Sequence, residues 1–439
     1  MDRFGISKRG STIGREIVAG LTTFMTMAYV LMVYPFSIIG ANASFTDSAG
    51  RLISSSSLLV VCALVSGIIT LFMGLYANLP LALSTAMGTN FIIGAYVQNH
   101  LASFGWGMTL LVLSGILFLA VTLCGVRKVI VNMLPKNLKL AMTAAVGFFI
   151  AYLGFKNSGL ISLNGGLGLG DFSQTSVLLA LLGLAVMGVL TAYKVKGAIL
   201  IAIVLVTLIG IPFGVTKLPA SIFQLPSMKE VGNVCFAFDF KAVFANIPTA
   251  LVMILVFFFG DFFATFSCLQ AVGTQAGYID ENGNFPEIEK PFLVDSVGTV
   301  VGALFGCTTI STFIESTAGV QEGGRTGLTS ITTAIMFIIC IFFAPLFLMV
   351  PNATTGPALI FVGFSMLSCL AKLDYSDFKD CFGPYVMVFF SAFTGDIVAG
   401  ICLGILADVL IKAVSGKAKE VHPVLYVLCI PLVLYFIVK

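Results

Sequence analysis

Cys307-Thr-Thr-Ile-Ser-Thr-Phe-Ile-Glu-Ser-Thr-Ala-Gly-Val320 carries one charge, Glu315, and no other charged residue lies between Ser296 and Gln321. A carboxylate at membrane depth costs about 2.5–3.5 kcal/mol on insertion scales, so a chain keeps one where it faces a polar cavity. The hydroxyl-rich residues before it make a poor lipid-facing helix wall. They suit exposed backbone lining a cavity, as in a transporter's interrupted helix.

The rest of the chain supplies the membrane. Its 439 residues are 58% hydrophobic and 10% charged, and mean hydropathy is +1.07. No soluble core absorbs that much apolar surface, so the class is an all-α polytopic membrane protein. Residues 52–126 contain no Asp, Glu, Lys or Arg, which is room for three spans. The net charge of +3 gives no reason to expect nucleic acid as a partner. Ten scattered cysteines without a CxxC pair, and only His100 and His422, read as packing residues rather than a metal site. Met1 to Glu16 is polar and basic, so no cleavable signal peptide is expected.

Apolar runs predict spans near 17–39, 57–77, 79–99, 108–124, 137–155, 176–193, 197–213, 247–271, 292–306, 309–321, 329–350, 355–371, 382–393 and 396–413. Arg3, Lys8, Arg9 and Arg15 precede the first span, and Arg127, Lys128, Lys136 and Lys139 follow the fourth. Lys194 and Lys196 follow the sixth, and Arg325 the tenth, which places the N-terminus in the cytoplasm. The acidic 278–290 loop also falls inside. Residues 1–246 and 247–413 form two halves of seven spans, and an odd number per half inverts the second. Residues 414–439 add an apolar segment, 422–438, that either spans, packs on the bundle or lies along the interface. The interrupted third span, Asn78-Leu-Pro-Leu-Ala-Leu-Ser-Thr-Ala-Met-Gly-Thr-Asn90, corresponds in position to the Glu315 segment. Paired interruptions of this kind point to a midplane binding site.

Asp261 is the second isolated acid, alone between Ala242 and Ile279, with Thr265 at i+4 on the same face. It either serves the site or caps a neighbouring helix. Glu315 can accept two hydrogen bonds side by side, matching adjacent N–H donors of a planar heterocycle, and it can also carry a proton. Asn90 reads as a substrate ligand or as interhelical glue. Ser311, Thr312 and Thr309 bond either a ligand or their own backbone. A helix beginning near Ser311 would aim its N-terminal amides at the ligand. Gly319 to Thr329 lacks Walker spacing and reads as a tight turn with Arg325 anchored at the interface. Phe257–Phe259, Phe262, Phe263 and Phe266 face core or lipid, with one available to stack on a ring. Asp295 and Asp396 read as structural acids at span starts, and Asp408 as the i+4 partner of Lys412.

Four stretches resemble the AzgA-like adenine/guanine/hypoxanthine permeases of the nucleobase–cation symporter-2 (xanthine/uracil permease) superfamily. They are Glu16-Ile-Val-Ala-Gly-Leu-Thr-Thr-Phe-Met-Thr-Met-Ala-Tyr29; Val126-Arg-Lys with Leu138-Lys-Leu-Ala and Gly147-Phe-Phe-Ile-Ala-Tyr-Leu-Gly; Asp295-Ser-Val-Gly-Thr-Val-Val-Gly-Ala-Leu304; and Thr312-Phe-Ile-Glu-Ser-Thr-Ala-Gly-Val with Gly323-Gly-Arg-Thr-Gly-Leu328. The resemblance implies 14 segments in a seven-plus-seven inverted repeat, with a core domain moving against a gate domain. It implies substrate held by Glu315, Asp261 and Asn90, with Thr312, Ser311 and Thr265 beside them, and a homodimer formed through the gate. The family's second eighth-span acid is Ala264 here, its third-segment Ala-Pro-Gly is Ser84-Thr-Ala86, and Tyr34 replaces a common Asn.

The expected function is therefore uptake of purine nucleobases across the cell membrane by a multi-pass secondary transporter. The proton is its coupling ion, passing through Glu315 and Asp261, and no other cofactor is implied. Another planar heterocycle such as xanthine or uracil is the alternative substrate. A channel is the alternative mode. No catalytic set argues for an enzyme. An anion carrier should show a basic residue at membrane depth, and none stands out. Glu315→Gln and Asp261→Asn are each expected to abolish purine uptake; wild-type uptake in both would remove these acids from the site.

Overall fold

The computed structural model describes residues 4–125, 134–162, 167–219, 221–278, 285 and 288–438. Arg3, the Val126-Arg-Lys128 stretch and most of the acidic 278–290 loop lie outside them. The first half begins with α1 (Ile13–Met27) and α2 (Val30–Ile39), then β1 (Ser44–Thr46), β2 (Leu52–Ser54) and α3 (Ser55–Phe72), which ends in a π-helical turn, Met73–Ala77. It continues with β3 (Leu83–Thr85), α4 (Met87–Gln98), α5 (Phe104–Leu123), α6 (Lys136–Asn157), β4 (Ile161–Ser162), β5 (Gly168–Leu169), α7 (Thr175–Ala192) and α8 (Ala198–Gly210). The short helices α9 (Met228–Val234) and α10 (Phe240–Ala245) lead to the 30-residue α11 (Ile247–Ala276). Then follow α12 (Glu289–Leu304), β6 (Ile310–Thr312), α13 (Ser316–Gln321), α14 (Gly327–Cys340), α15 (Ala344–Leu348) and α16 (Asn352–Leu367). The chain closes with α17 (Phe378–Thr394), α18 (Ile397–Val414) and α19 (Pro423–Val438).

Among the described residues, nine helices are long and apolar enough to cross a membrane. The structure is mostly helical but not all-α: β1–β2, β3–β6 and β4–β5 form three antiparallel pairs. The pair β3–β6 decides the centre of the molecule. It joins the two interrupted segments, with Leu83 opposite Thr312, Ser84 opposite Ser311 and Thr85 opposite Ile310. Backbone that leaves a helix at membrane depth needs partners inside the protein. Pairing supplies them, extended by Ala86 N–H to the Thr309 carbonyl and Phe313 N–H to the Ala82 carbonyl.

The helices gather into two sets. In one, α14 packs on α1 and α3, α5 on α11 and α12, and α2 on α3 and α4, all around the β3–β6 pair. In the other, α16 packs on α6, α7 and α8, and α17 on α6 and α18. The sets meet where α6 touches α4 and α11 and where α8 touches α1. An ion pair between Lys196, before α8, and Glu322, after α13, crosses the same boundary. The last segment, α19, packs on both α11 and α18, with Leu425 and Tyr435 buried. The end of α18 is pinned by charge: Lys412 bonds Asp408 at 3.0 Å, and Lys417 bonds Asp377 at 2.8 Å and Asp380 at 3.0 Å. Those two carboxylates hold the Lys417 amine above its ordinary value. Asp396 caps α18 through Ala399 N–H, as a span-start acid should.

Small residues let α1 and α13 touch backbone to backbone. A Cβ on Gly319 would stand 2.6 Å from the Ala19 carbonyl oxygen, and one on Gly20 would stand 2.5 Å from that of Thr329. Gly319→Leu is expected to force α13 off α1 and sharply reduce monodisperse protein in detergent, read by size-exclusion chromatography. Gly188→Leu, on a surface with nothing within 4 Å, should behave as wild type.

Candidate functional site

The site is built on two copies of one local pattern. Asp261 and Thr265 lie on one face of α11, and Asp295 and Thr299 repeat the i, i+4 spacing on α12. The copies exchange hydrogen bonds. Thr299 donates to Asp261 Oδ2 at 2.7 Å, and Thr265 donates to Asp295 Oδ2 at 2.8 Å. All four residues are buried. Buried carboxylates persist because these donors replace water.

β6 lies against this square. Asp295 Oδ1 accepts the Thr312 amide at 2.8 Å, Ser311 and Thr265 share a hydroxyl contact of 3.1 Å, and Ser311 also sits beside Asp261. Thr299 adds a donation to the Ile310 carbonyl at 3.1 Å. Asp295 is thus no span-start acid. It is the seventh residue of α12, and both its oxygens hold neighbours, one of them the backbone of β6. Its structural role is as the sequence suggests; only its place differs, because Glu289 and Lys290 nearby make the segment look like a helix end. The signal that could have revealed it is the repeated Asp-x-x-x-Thr.

Asp261 differs from Asp295 in one respect. Its Oδ1 is buried without a hydrogen-bond partner, as are the hydroxyls of Thr312, Thr309 and Thr23. Such orphaned groups cost about 1–3 kcal/mol each when left dry, so they mark acceptors and donors waiting for a ligand or water.

Glu315 stands one turn beyond β6 at the start of α13, which begins at Ser316, not near Ser311. The residue is half-buried. The Tyr29 hydroxyl donates to Glu315 Oε1 at 2.9 Å, and Thr26 reaches the Glu315 carbonyl at 3.4 Å. Cys268, two turns after Asp261 on α11, lies beside both Thr312 and Glu315. The structure therefore brings Asp261, Thr265, Ser311, Thr312 and Glu315 to one strand.

Asn90 sits on the facing segment. Its amide donates to Thr85 Oγ1 at 3.1 Å, and its oxygen accepts the Thr308 hydroxyl. The oxygen joins α4 to the approach of β6, and the nitrogen bonds β3 within its own segment.

The Arg325 guanidinium folds back onto the Val320 and Gly324 carbonyls at 2.6 and 2.7 Å, within the turn that follows α13. Lys139, in the first turn of α6, lies 5.5 Å from the centre of the Phe263 ring of α11. Phe257, Phe258, Phe259, Phe262 and Phe263 are buried, several of them around Phe118. Asp295→Ala is expected to free the Thr312 amide and disorder β6. Purine binding, read by thermal shift, should fall by an order of magnitude or more, consistent with about 1.5–3 kcal/mol for a hydrogen bond to a charged group.

The family described as Permease family, Xan_ur_permease, matches residues 14–399. The guanine/hypoxanthine permease PbuG of Bacillus subtilis is 33% identical over 443 residues, covering 99% of this chain and 98% of PbuG. The adenine permease AdeQ of Escherichia coli is 33% identical over 425 residues, covering 95% and 92%. Among solved structures, the transmembrane domain of the cyanobacterial bicarbonate transporter BicA aligns with TM-score 0.59 at 16% identity, over 90% of this chain and 97% of that one. The murine anion transporter Slc26a9 in its inward-facing state aligns with TM-score 0.63 at 12% identity, over 91% and 68%. At those identities the likeness is one of fold. The matched family, near-complete alignment with PbuG and AdeQ, and the apolar helices agree: this chain is a membrane protein belonging to the Xan_ur_permease family.

Proposed function

We propose that the protein carries purine nucleobases across the cell membrane by alternating access, with the proton as coupling ion. The observation that carries this reading is the single strand, β6, that gathers a buried carboxylate oxygen without a partner on Asp261, unpartnered threonine hydroxyls and the carboxylate of the half-buried Glu315. Adjacent ring and exocyclic N–H groups of a purine match such acceptors. Full-length similarity to guanine/hypoxanthine and adenine permeases supports the same substrate class.

The helix set around β3–β6 acts as the core and the α6–α8 and α16–α18 set as the gate. These correspond to the first four and last three of seven segments in each half, as a seven-plus-seven inverted repeat requires. The site lies on the core, which meets the gate where α6 touches α4 and α11 and where α8 touches α1. The N-terminus is cytoplasmic by the distribution of Lys and Arg. Rocking one set against the other would expose the site to each side in turn.

A second reading has one observation in its favour. Lys139 packs its charge over the Phe263 ring of α11, the helix that also carries Asp261, which suits a heterocycle that ionises, such as xanthine. The test is uptake of radiolabelled hypoxanthine, guanine, adenine and xanthine into purine-transport-deficient cells, with or without a protonophore. Saturable, protonophore-sensitive uptake of one of the first three is expected. Saturable uptake of radiolabelled xanthine, with none of the other three bases taken up, would favour the second reading. Non-saturable flux would favour a channel.

A further inference from the structure

We propose that α1 is the positioning element of the Glu315 site: Tyr29 fixes the carboxylate, and Glu16 fixes the far end of the half-helix that carries it. The idea builds on the proposed purine site but rests on separate contacts.

The half-helix α13 has six residues. A helix that short does not hold itself together, since helices below about 12 residues are marginal alone. Its position must come from outside, and α1 runs alongside it. At one end, where α1 gives way to α2, Tyr29 donates to Glu315 and Thr26 reaches the Glu315 carbonyl. Thirteen residues earlier, about 20 Å along a helix, the Glu16 side chain is wholly buried.

Glu16 is surrounded by donors from the loop after α13. Its Oε1 accepts Arg325 N–H at 2.9 Å, and its Oε2 accepts Thr326 N–H at 3.2 Å and the Thr329 hydroxyl at 2.6 Å. Around it, Ser11 donates to the Gly323 carbonyl at 2.8 Å and Thr333 to the Gly20 carbonyl at 2.9 Å. Arg9 reaches the carbonyls of Asn78 and Arg325, at 2.6 and 3.1 Å, and the Tyr278 hydroxyl. Between the two ends, Gly319 allows backbone contact with Ala19. α13 is therefore tied to α1 at its head, middle and tail, and Glu315 takes its place from that helix.

The two positioning residues act differently. Tyr29 touches the carboxylate, so it sets its direction. The titratable groups facing Glu315 among the described residues are Tyr29 and Cys268 of α11. Glu16 acts through the loop and α13, with Arg9, Tyr278 and Arg325 as its charged or titratable neighbours.

The experiment compares full-length wild type with Tyr29→Phe, Glu16→Gln and Thr329→Val at matched membrane levels. Tyr29→Phe keeps the ring and removes one hydroxyl. Hypoxanthine uptake should show KM raised about tenfold or more, as loss of one hydrogen bond to a charged group implies. Labelling of Glu315 by dicyclohexylcarbodiimide, read by mass spectrometry at one fixed pH, should change in rate, because the carboxylate loses the hydroxyl that holds it in place. Glu16→Gln, or Thr329→Val if that variant is not recovered, should raise KM with smaller change in the labelling rate. Wild-type KM and wild-type labelling in Tyr29→Phe would overturn the proposal. No purine uptake by wild type, with the labelling change intact, would instead sink the purine reading and leave the role of α1 standing.

Discussion

Backbone that stops being helical inside a membrane must find hydrogen bonds within the protein, and everything at this site follows from how that need is met. β3 and β6 meet it for each other through three residue pairs. The pairing is too short to stand alone, so side chains complete it. Thr70 brackets the Leu83 amide and carbonyl at 3.0 and 3.1 Å, Ser316 accepts the Ala82 amide at 3.0 Å, and Asp295 accepts that of Thr312. The hydroxyls that sequence reading treats as ligand groups are thus divided. Thr265, Thr299 and Ser311 serve the scaffold, while Thr309 and Thr312 keep their hydroxyls free of protein partners.

The same division separates the acids. Asp295 spends both oxygens on structure, and Asp261 spends one. The substitution of Ala264 for an acid of the family pattern therefore does not leave the region with a single carboxylate. A second comes from α12, locked to the first by reciprocal threonine bonds. Glu315 belongs to a different local environment, half-buried and held from α1. The region thus holds two kinds of carboxylate, two locked together on α11 and α12 and one held by Tyr29.

Much of this was legible in the chain. Asp261 and Glu315 announce themselves because each is the lone charge in a long apolar stretch, and a lone charge there has few reasons to exist. The paired interruptions of spans three and ten were legible from Gly, Pro and hydroxyl content. What was not legible depends on distant partners. A three-residue strand shows no alternation, so β3–β6 leaves no period to read. Glu16 follows Arg15 in the first turn of a helix, a pattern that ordinarily means a solvated end. Its burial is created by a loop more than three hundred residues away. Asn90 shows the limit from the other direction, since its sequence position fits ligand and glue equally and its bond from Thr308 comes from a residue 218 positions away.

The pairing of β3 with β6 also has a consequence for how the protein is made. The Ala82 amide and the Ser316 hydroxyl that accepts it are 234 residues apart. Contacts of such separation form slowly and late. While the first half is emerging and inserting, Thr70 can serve Leu83, but the β6 partners of the third segment and the Ser316 hydroxyl are not yet made. The third segment can stay at membrane depth only if wetted or sheltered until the tenth segment arrives. The β3–β6 pair therefore cannot close before the tenth segment is made, and an early half-molecule is unfinished at its centre.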